Sequence, residues 1–230
     1  LKSVMDFSFF EKINMAINED TDGFARGMHR IYNNFVYDFL YPNPDMVLAF
    51  FENHDTERFL GEGQDVAKLK QGLALLLTTR RIPQLYYGTE VMMNGIRRGS
   101  DGHIRRDFPG GWPGDAQSAF TSQSRTPIQN ESFNIYRTLL NWRKGNEVIS
   151  KGNMVQFMPQ HGVYVYARQY NGRTVLVMLN GTDSEVNLPL EYYTEILKYK
   201  KQGTAVLTGR HTVSDKELKM AARESLVLEV

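Results

Sequence analysis

The chain has 230 residues, with 27 basic against 26 acidic side chains, 41% hydrophobic residues and no cysteine. This is the composition of an ordinary globular protein, and its near-neutral charge gives no electrostatic reason to expect nucleic acid or an anionic membrane as a partner. No apolar run approaches the ~20 residues of a membrane span, and disulfides, thiol catalysis and cysteine metal sites are excluded.

The chain opens LKSVMDF, without an initiator Met, a basic leader or a secretion signal. It begins inside an apolar element, which predicts a piece of something longer. The short run Val4 to Phe7 is interrupted at Asp6. Phe9, Ile13 and Ile17 recur every four residues and predict a helix over 8–18. After the polar loop EDTDG, Met28, Ile31, Phe35 and Phe39 predict a second helix over 24–40, stopped by Tyr41-Pro42-Asn43-Pro44. Residues 46–51 are apolar on both faces, as in a strand buried on both sides of a parallel sheet. That run ends abruptly in Asn53, His54 and Asp55.

A helix is predicted over 66–79, with Leu69, Leu73, Leu76 and Leu77 on one face, and then a strand over 82–87. Strand, helix and strand in this order imply a parallel sheet with right-handed crossovers. Residues 97–129 form a long Gly- and Pro-rich loop, a kind that tends to be functional. A last helix is predicted over 133–144. From about Val148 the period becomes two: Val163, Val165 and Ala167 alternate with Tyr164, Tyr166 and Arg168. Asn171-Gly172 is a strong hairpin signal because both residues tolerate positive φ. Further strands fit 185–190, 204–207 and 225–230, giving an antiparallel β domain of about 80 residues. The expected division is 1–147 and 148–230.

In parallel α/β folds, active sites lie at the carboxyl ends of the strands. Asp6, the Asn53-His54-Asp55 tip, and Tyr86, Tyr87 and Glu90 all sit at such ends. Carboxylate and imidazole can hold sugar hydroxyls, while aromatic faces cover the apolar side of a sugar ring. The competing role for His54 and Asp55 is a structural pair capping the next helix. Asp6 reads as a loop or cap residue, and Glu90 as a structural hydrogen-bond partner. Tyr86 and Tyr87 read as packing residues, one of them near the pocket.

FFENHDTER resembles the strand-seven motif of the alpha-amylase family of glycoside hydrolases, aromatic-x-x-Asn-His-Asp. IPQLYYGTEV resembles its strand-eight motif, Gly-x-Pro-x-x-Tyr-x-Gly-x-Glu, with Arg81 in place of the first Gly. SVMDF is similar to the strand-six segment of neopullulanases and cyclomaltodextrinases. The resemblance implies an α/β fold: the C-terminal part of a TIM (β/α)8 barrel, about strands 6–8, followed by an antiparallel β-sandwich. It implies that Asp55 is the third catalytic carboxylate, that His54 and Asn53 bind the same sugar, and that Arg105 corresponds to an arginine on the loop after strand eight. Two roles are open for Trp112, stacking on a distal sugar or anchoring its loop.

The Arg-x-Asp motif of the family's nucleophile is absent here, as is the segment carrying its acid glutamate. The resemblance therefore implies that an N-terminal part accompanies this chain and that the chain alone is inactive. The implied activity is retaining cleavage of α-1,4, and perhaps α-1,6, glucosidic bonds in starch-type glucans or maltooligosaccharides. A transglycosylase of the same family and a non-catalytic carbohydrate-binding protein are the alternatives. No cofactor or metal is expected in this segment, since His103, His161 and His211 lack ligand spacing. Any calcium would sit upstream, and a periplasmic or extracellular location is implied.

Overall fold

Most of the helices begin where a side chain satisfies backbone N–H groups that the helix itself leaves free. The computed structural model describes residues 2–21, 23–197, 202–212 and 216–230, with 210–212 described by backbone alone. The run Lys198-Tyr199-Lys200-Lys201, expected on a solvated face, lies outside the described residues, as does the side chain of His211.

Helix α1 (Phe7–Asn18) is capped by Asp6, whose carboxylate accepts from the Phe9 N–H at 2.8 Å. Its predicted stripe, Phe9, Ile13 and Ile17, is buried. The second predicted helix is shorter than expected. Helix α2 spans only His29–Val36 and runs into a 3-10 turn at Tyr37–Leu40. Gly27 is the reason at the front: it takes φ +50°, and a Cβ there would lie 2.1 Å from the Thr21 carbonyl oxygen. The chain turns at that point instead of coiling. At the back, the tighter 3-10 period rotates Phe39 off the stripe, leaving it 75% exposed. His29, expected at the surface, is instead buried, with the Phe24 ring 6.3 Å from its own.

Strand β1 is only Leu48–Ala49 and β2 only Ile82–Pro83, paired in parallel. Met5 bridges Leu48 on the other side, also in parallel. The predicted strands thus survive as a short ladder, and the described residues do not form a barrel. Pro83 has no N–H to extend the ladder, and beyond Ala49 the chain leaves it to build the turn carrying His54 and Asp55.

Helix α3 (Val66–Thr78) is capped by Asp65, whose side chain accepts from Lys68 N–H at 3.0 Å. It is buried on more faces than the predicted stripe, Leu75 and Ala74 included. Gly72 allows the Phe59 ring to lie against it; an added Cβ would sit 2.6 Å from that ring. Helix α4 (Pro127–Arg143) starts six residues before its predicted start at 133. Thr126 and Gln129 form a capping box and Pro127 opens the first turn, a start signal that apolar spacing alone overlooks. Residues Glu147–Lys151, read as the beginning of the β region, form a short helix, α5, capped by Asn146.

The remainder is antiparallel. Strands β3 (Asn153–Gln160), β4 (Val163–Tyr170), β5 (Arg173–Asn180), β7 (Gln202–Ala205), β8 (Gly209–Thr212) and β10 (Ser225–Glu229) form one sheet in the order β3-β4-β5-β10-β7-β8. Strands β6 (Val186–Pro189) and β9 (Glu217–Met220) pair separately. A short helix, α6, spans Thr194–Leu197. The predicted hairpin is present: Tyr170 pairs with Arg173, and Asn171 and Gly172 take φ +49° and +76°.

The period of two assigns each face of the large sheet a different core. Val163, Val165, Ala167, Leu176 and Met178 pack with Leu188, Leu218 and Met220 of the β6-β9 pair. Tyr164, Tyr166, Val175 and Val177 pack with the helices instead. Tyr164 and Tyr166 therefore occupy the pleat opposite the inter-sheet core. Tyr193 does lie in the inter-sheet core. Among the described residues no helix is long and apolar enough to cross a membrane.

Arg168, on the helix-facing pleat, is 1% exposed. It donates to the Thr78 carbonyl at the end of α3 (2.8 Å) and to the Gly152 carbonyl (2.7 Å). Burial pulls its guanidinium pKa down to about 10. Removing it orphans two buried carbonyls at about 1–3 kcal/mol each. Arg168→Met is therefore expected to lower unfolding free energy by about 2–4 kcal/mol in urea titrations. A loss below about 0.5 kcal/mol would show that the carbonyls find other partners.

Candidate active site

The tip that ends β1 is built by its own side chains. Asn53 is buried, and its Oδ1 accepts the Asp55 N–H at 2.8 Å. Its N–H donates to Thr56 Oγ1 at 2.9 Å. This Asx-type turn reverses the chain sharply and projects His54 and Asp55 outward, their side chains 60% and 62% exposed. Asn14 anchors the approach by donating to the Phe51 carbonyl at 2.8 Å.

Asp55 sits in a closed ring of charges. Its Oδ1 lies 2.9 Å from Arg105 Nη2, and its Oδ2 lies 3.3 Å from His54 Nε2. Arg105 also bonds Asp101 at 2.6 Å, and Asp101 bonds Arg97 at 2.6 Å. Arg97 closes the ring by donating to the Asp55 carbonyl at 2.8 Å. Arg105 Nε donates to the His54 carbonyl at 2.7 Å. The ring holds one carboxylate between a guanidinium and an imidazole, on an open surface, at the carboxyl end of a parallel strand. Such a set can grip vicinal hydroxyls and place negative charge beside a developing cation.

Beneath the ring lies buried charge. Glu52 is 1% exposed, and its Oε2 accepts from the Phe59 N–H at 2.7 Å. Arg58 Nη1 is 3.6 Å from Glu52 Oε1, too long for a hydrogen bond. Burial therefore prevails over the attraction, and the Glu52 carboxyl is pushed up to about 7. Glu90 is also raised, chiefly by burial. A cavity of about 470 Å³ opens nearby, lined by Tyr86, Tyr87, Glu90 and Tyr136 among others. Another, of about 280 Å³, is lined by Glu62, Asn94, Arg98, His103 and Arg106. Asp55 lines neither of these two cavities and stands on an exposed rim. Among the described residues no group of three His, Asp or Glu side chains could hold a metal ion.

Residues 154–229 match the model of the cyclo-malto-dextrinase C-terminal domain. An alpha-amylase of Niallia circulans is 29% identical over 215 residues, covering 90% of this chain and 37% of that protein. A cyclomaltodextrin glucanotransferase of Geobacillus stearothermophilus is 27% identical over 217 residues, covering 90% of this chain and 27% of the relative. The chain is homologous to alpha-amylase and cyclomaltodextrin glucanotransferase. It spans about a third of the length of these curated relatives. The fold is similar to the matched parts of solved alpha-amylases. An Anoxybacillus alpha-amylase superposes with a TM-score of 0.74 at 20% identity, over 100% of this chain and 47% of that one. AmyP, solved with maltotriose, gives 0.76 at 17% identity, over 100% of this chain and 50% of that one.

In this homologue the structure unites His54, Asp55 and Arg105 at one point. It keeps Asn53 below them, its side-chain oxygen engaged in the turn. Trp112 stands apart on its own loop, 64% exposed, its N–H 3.2 Å from Asp115 Oδ2. The capping alternative for Asp55 is excluded, since Asp65 caps α3. Asp6 is a buried cap that also pairs with Arg81 at 3.0 Å. Arg81, the departure from the family's glycine, thus serves structure: it bonds Asp38 at 2.5 Å as well. Sequence reasoning overlooked Arg97, Asp101, Glu52 and Arg58. The even spacing of Arg97, Asp101 and Arg105, four apart with alternating sign, was an available signal.

Glu52 makes stability depend on pH with a known sign. Its folded pKa lies above the ordinary glutamate value of 4.5. Between about 4.5 and 7 the unfolded chain ionises while the folded chain stays protonated, so stability falls as pH rises. The full swing is about 3 kcal/mol. Glu52→Gln should remove this contribution, so the difference between variant and parent in urea unfolding should change across that window. A difference flat from pH 4.5 to 8 would refute a buried, raised carboxyl.

Proposed function

We propose that this chain is the portion of a retaining α-glucan-cleaving enzyme that contains barrel strands 6–8 and the C-terminal β-sandwich, with Asp55 as its transition-state-stabilising carboxylate. The observation that carries this reading is the set of Asp55, His54 and Arg105, joined by bonds of 2.7–3.3 Å at the end of β1. Asp55 would hold ring hydroxyls of the central glucose and strengthen that hold as the ring flattens toward an oxocarbenium ion. His54 would donate to the same sugar, and Arg105 would keep the carboxylate oriented. Trp112 would meet a more distant glucose. A retaining mechanism needs a nucleophile and an acid/base about 5 Å apart; both would come from polypeptide that accompanies this chain. Neopullulanase-type substrates, maltooligosaccharides and branched starch fragments, fit this reading, as does a location outside the cytoplasm.

A second reading, transfer of the glycosyl unit to another sugar, is favoured by the cyclomaltodextrin glucanotransferases among the relatives. Chromatography of products at high maltotriose concentration distinguishes the two. A transferase makes chains longer than its substrate, and a hydrolase makes only shorter ones.

Asp55→Asn, placed in the polypeptide that carries the nucleophile and the acid, should lower kcat on maltooligosaccharides by about 10²- to 10³-fold. Unfolding should stay near the parent's, because the side chain is exposed and surface pairs contribute little. Turnover within twofold of the parent would remove Asp55 from the mechanism.

A further inference from the structure

The ring around Asp55 is exposed, and exposed ion pairs hold geometry weakly. Something beneath must fix it, and one buried side chain meets all three segments that build it. Arg58 has a side chain 1% exposed, three residues after Asp55. Its N–H donates to the Gly95 carbonyl at 3.1 Å. Its Nε donates to the Ile104 carbonyl at 3.0 Å, and its Nη1 to the Tyr87 carbonyl at 2.7 Å. The guanidinium plane lies over Tyr86, 4.0 Å from the ring centroid. Arg105 follows Ile104 directly. On its other side the Arg106 carbonyl accepts from Tyr87 OH at 2.7 Å. The backbone of Arg105 is thus pinned on both flanks, by Arg58 and by a tyrosine whose own carbonyl Arg58 holds.

We propose that Arg58 is a positioning residue: its buried guanidinium ties the end of β2 and the 95–106 loop to the turn bearing His54 and Asp55, and so fixes the Arg105–Asp55 pair from below. The effect on sugar binding rests on the glucan reading above; the effect on Arg105 does not. A planar fork is required, since a lysine ammonium gathers its three donors on one atom and has no flat face to stack on Tyr86.

The test uses the 230-residue chain labelled with ¹⁵N-arginine. The NMR order parameter of the Arg105 Nε–H should be near 0.8 in the parent and fall below about 0.6 in Arg58→Met and Arg58→Lys. Tyr87→Phe, a milder change at a half-exposed residue, should lower it part of the way. Gln71→Met is the control. It removes a buried bond to the Asn180 carbonyl between α3 and β5, and should lower stability while leaving Arg105 rigid. In the polypeptide that also carries the nucleophile and the acid, titration with maltoheptaose should show about tenfold weaker binding for Arg58→Lys than for the parent.

An Arg105 order parameter unchanged in both Arg58 variants would overturn the proposal, as would an equal fall in Gln71→Met. Should the Arg58 variants fail to fold, a rigid Arg105 in Tyr87→Phe would overturn it alone. If the polypeptide that also carries the nucleophile and the acid binds no maltoheptaose, with Arg105 loosened as expected, the glucan reading sinks and the positioning role stands.

Discussion

Helix α3 is apolar on nearly every side, and the rest of the molecule follows from hiding it. Leu73, Leu75, Leu76 and Leu77 are all fully buried, each contributing about 2 kcal/mol relative to exposure. One helix cannot bury that much surface against a single neighbour. It packs against α1, α4, β5 and β10, so helices and sheet share one core that runs across position 147. The end of α3 is then closed by charge instead of apolar surface. Arg168 and Arg143 reach its last carbonyls from the sheet and from α4. Arg168 is buried and Arg143 partly buried, and burial lowers the pKa of each.

The same helix sets the height of the rim. Phe59 lies against Gly72 on one side and the Phe51 ring on the other, 4.5 Å between centroids. The turn between Phe51 and Phe59 therefore has both of its ends stapled to the core. Glu52, just inside that turn, bonds the Phe59 N–H and stabilises the same closure. Its middle residues project, with His54, Asp55 and Glu57 exposed. Rigid buried ends and an exposed centre suit a group that must meet a ligand in a fixed direction.

Charge is arranged in two tiers. Arg58, Arg81, Glu52 and Asp6 are buried and connect elements; Arg97, Asp101, Arg105 and Asp55 are exposed and form a ring. In the lower tier each lost partner leaves a desolvated charge, so substitutions there disturb structure. In the upper tier water replaces a lost partner cheaply, so substitutions there disturb the fold little. The homology to alpha-amylase and cyclomaltodextrin glucanotransferase concerns a chain about a third of the relatives' length.

The amino-acid sequence alone determined what is written in local periodicity. The four-residue stripe of α1, the leucine face of α3 and the alternation of β4 and β5 were legible, as was the Asn171-Gly172 hairpin. Each depends on neighbours a few positions apart. The tip Asn53-His54-Asp55 and the candidacy of Arg105 were legible too, through family motifs, but the pairing of Arg105 with Asp55 was not. Tertiary structure alone decided the rest. It halved the second helix at Gly27, because a close backbone approach to Thr21 cannot be read from hydropathy. It sent Tyr164 and Tyr166 toward the helices, since alternation defines two faces without saying what covers each. It also brought Arg58, Arg97 and Asp101 to the Asp55 turn, because hydrogen bonds spanning about 40 residues arise from folding and leave no periodic trace in the chain.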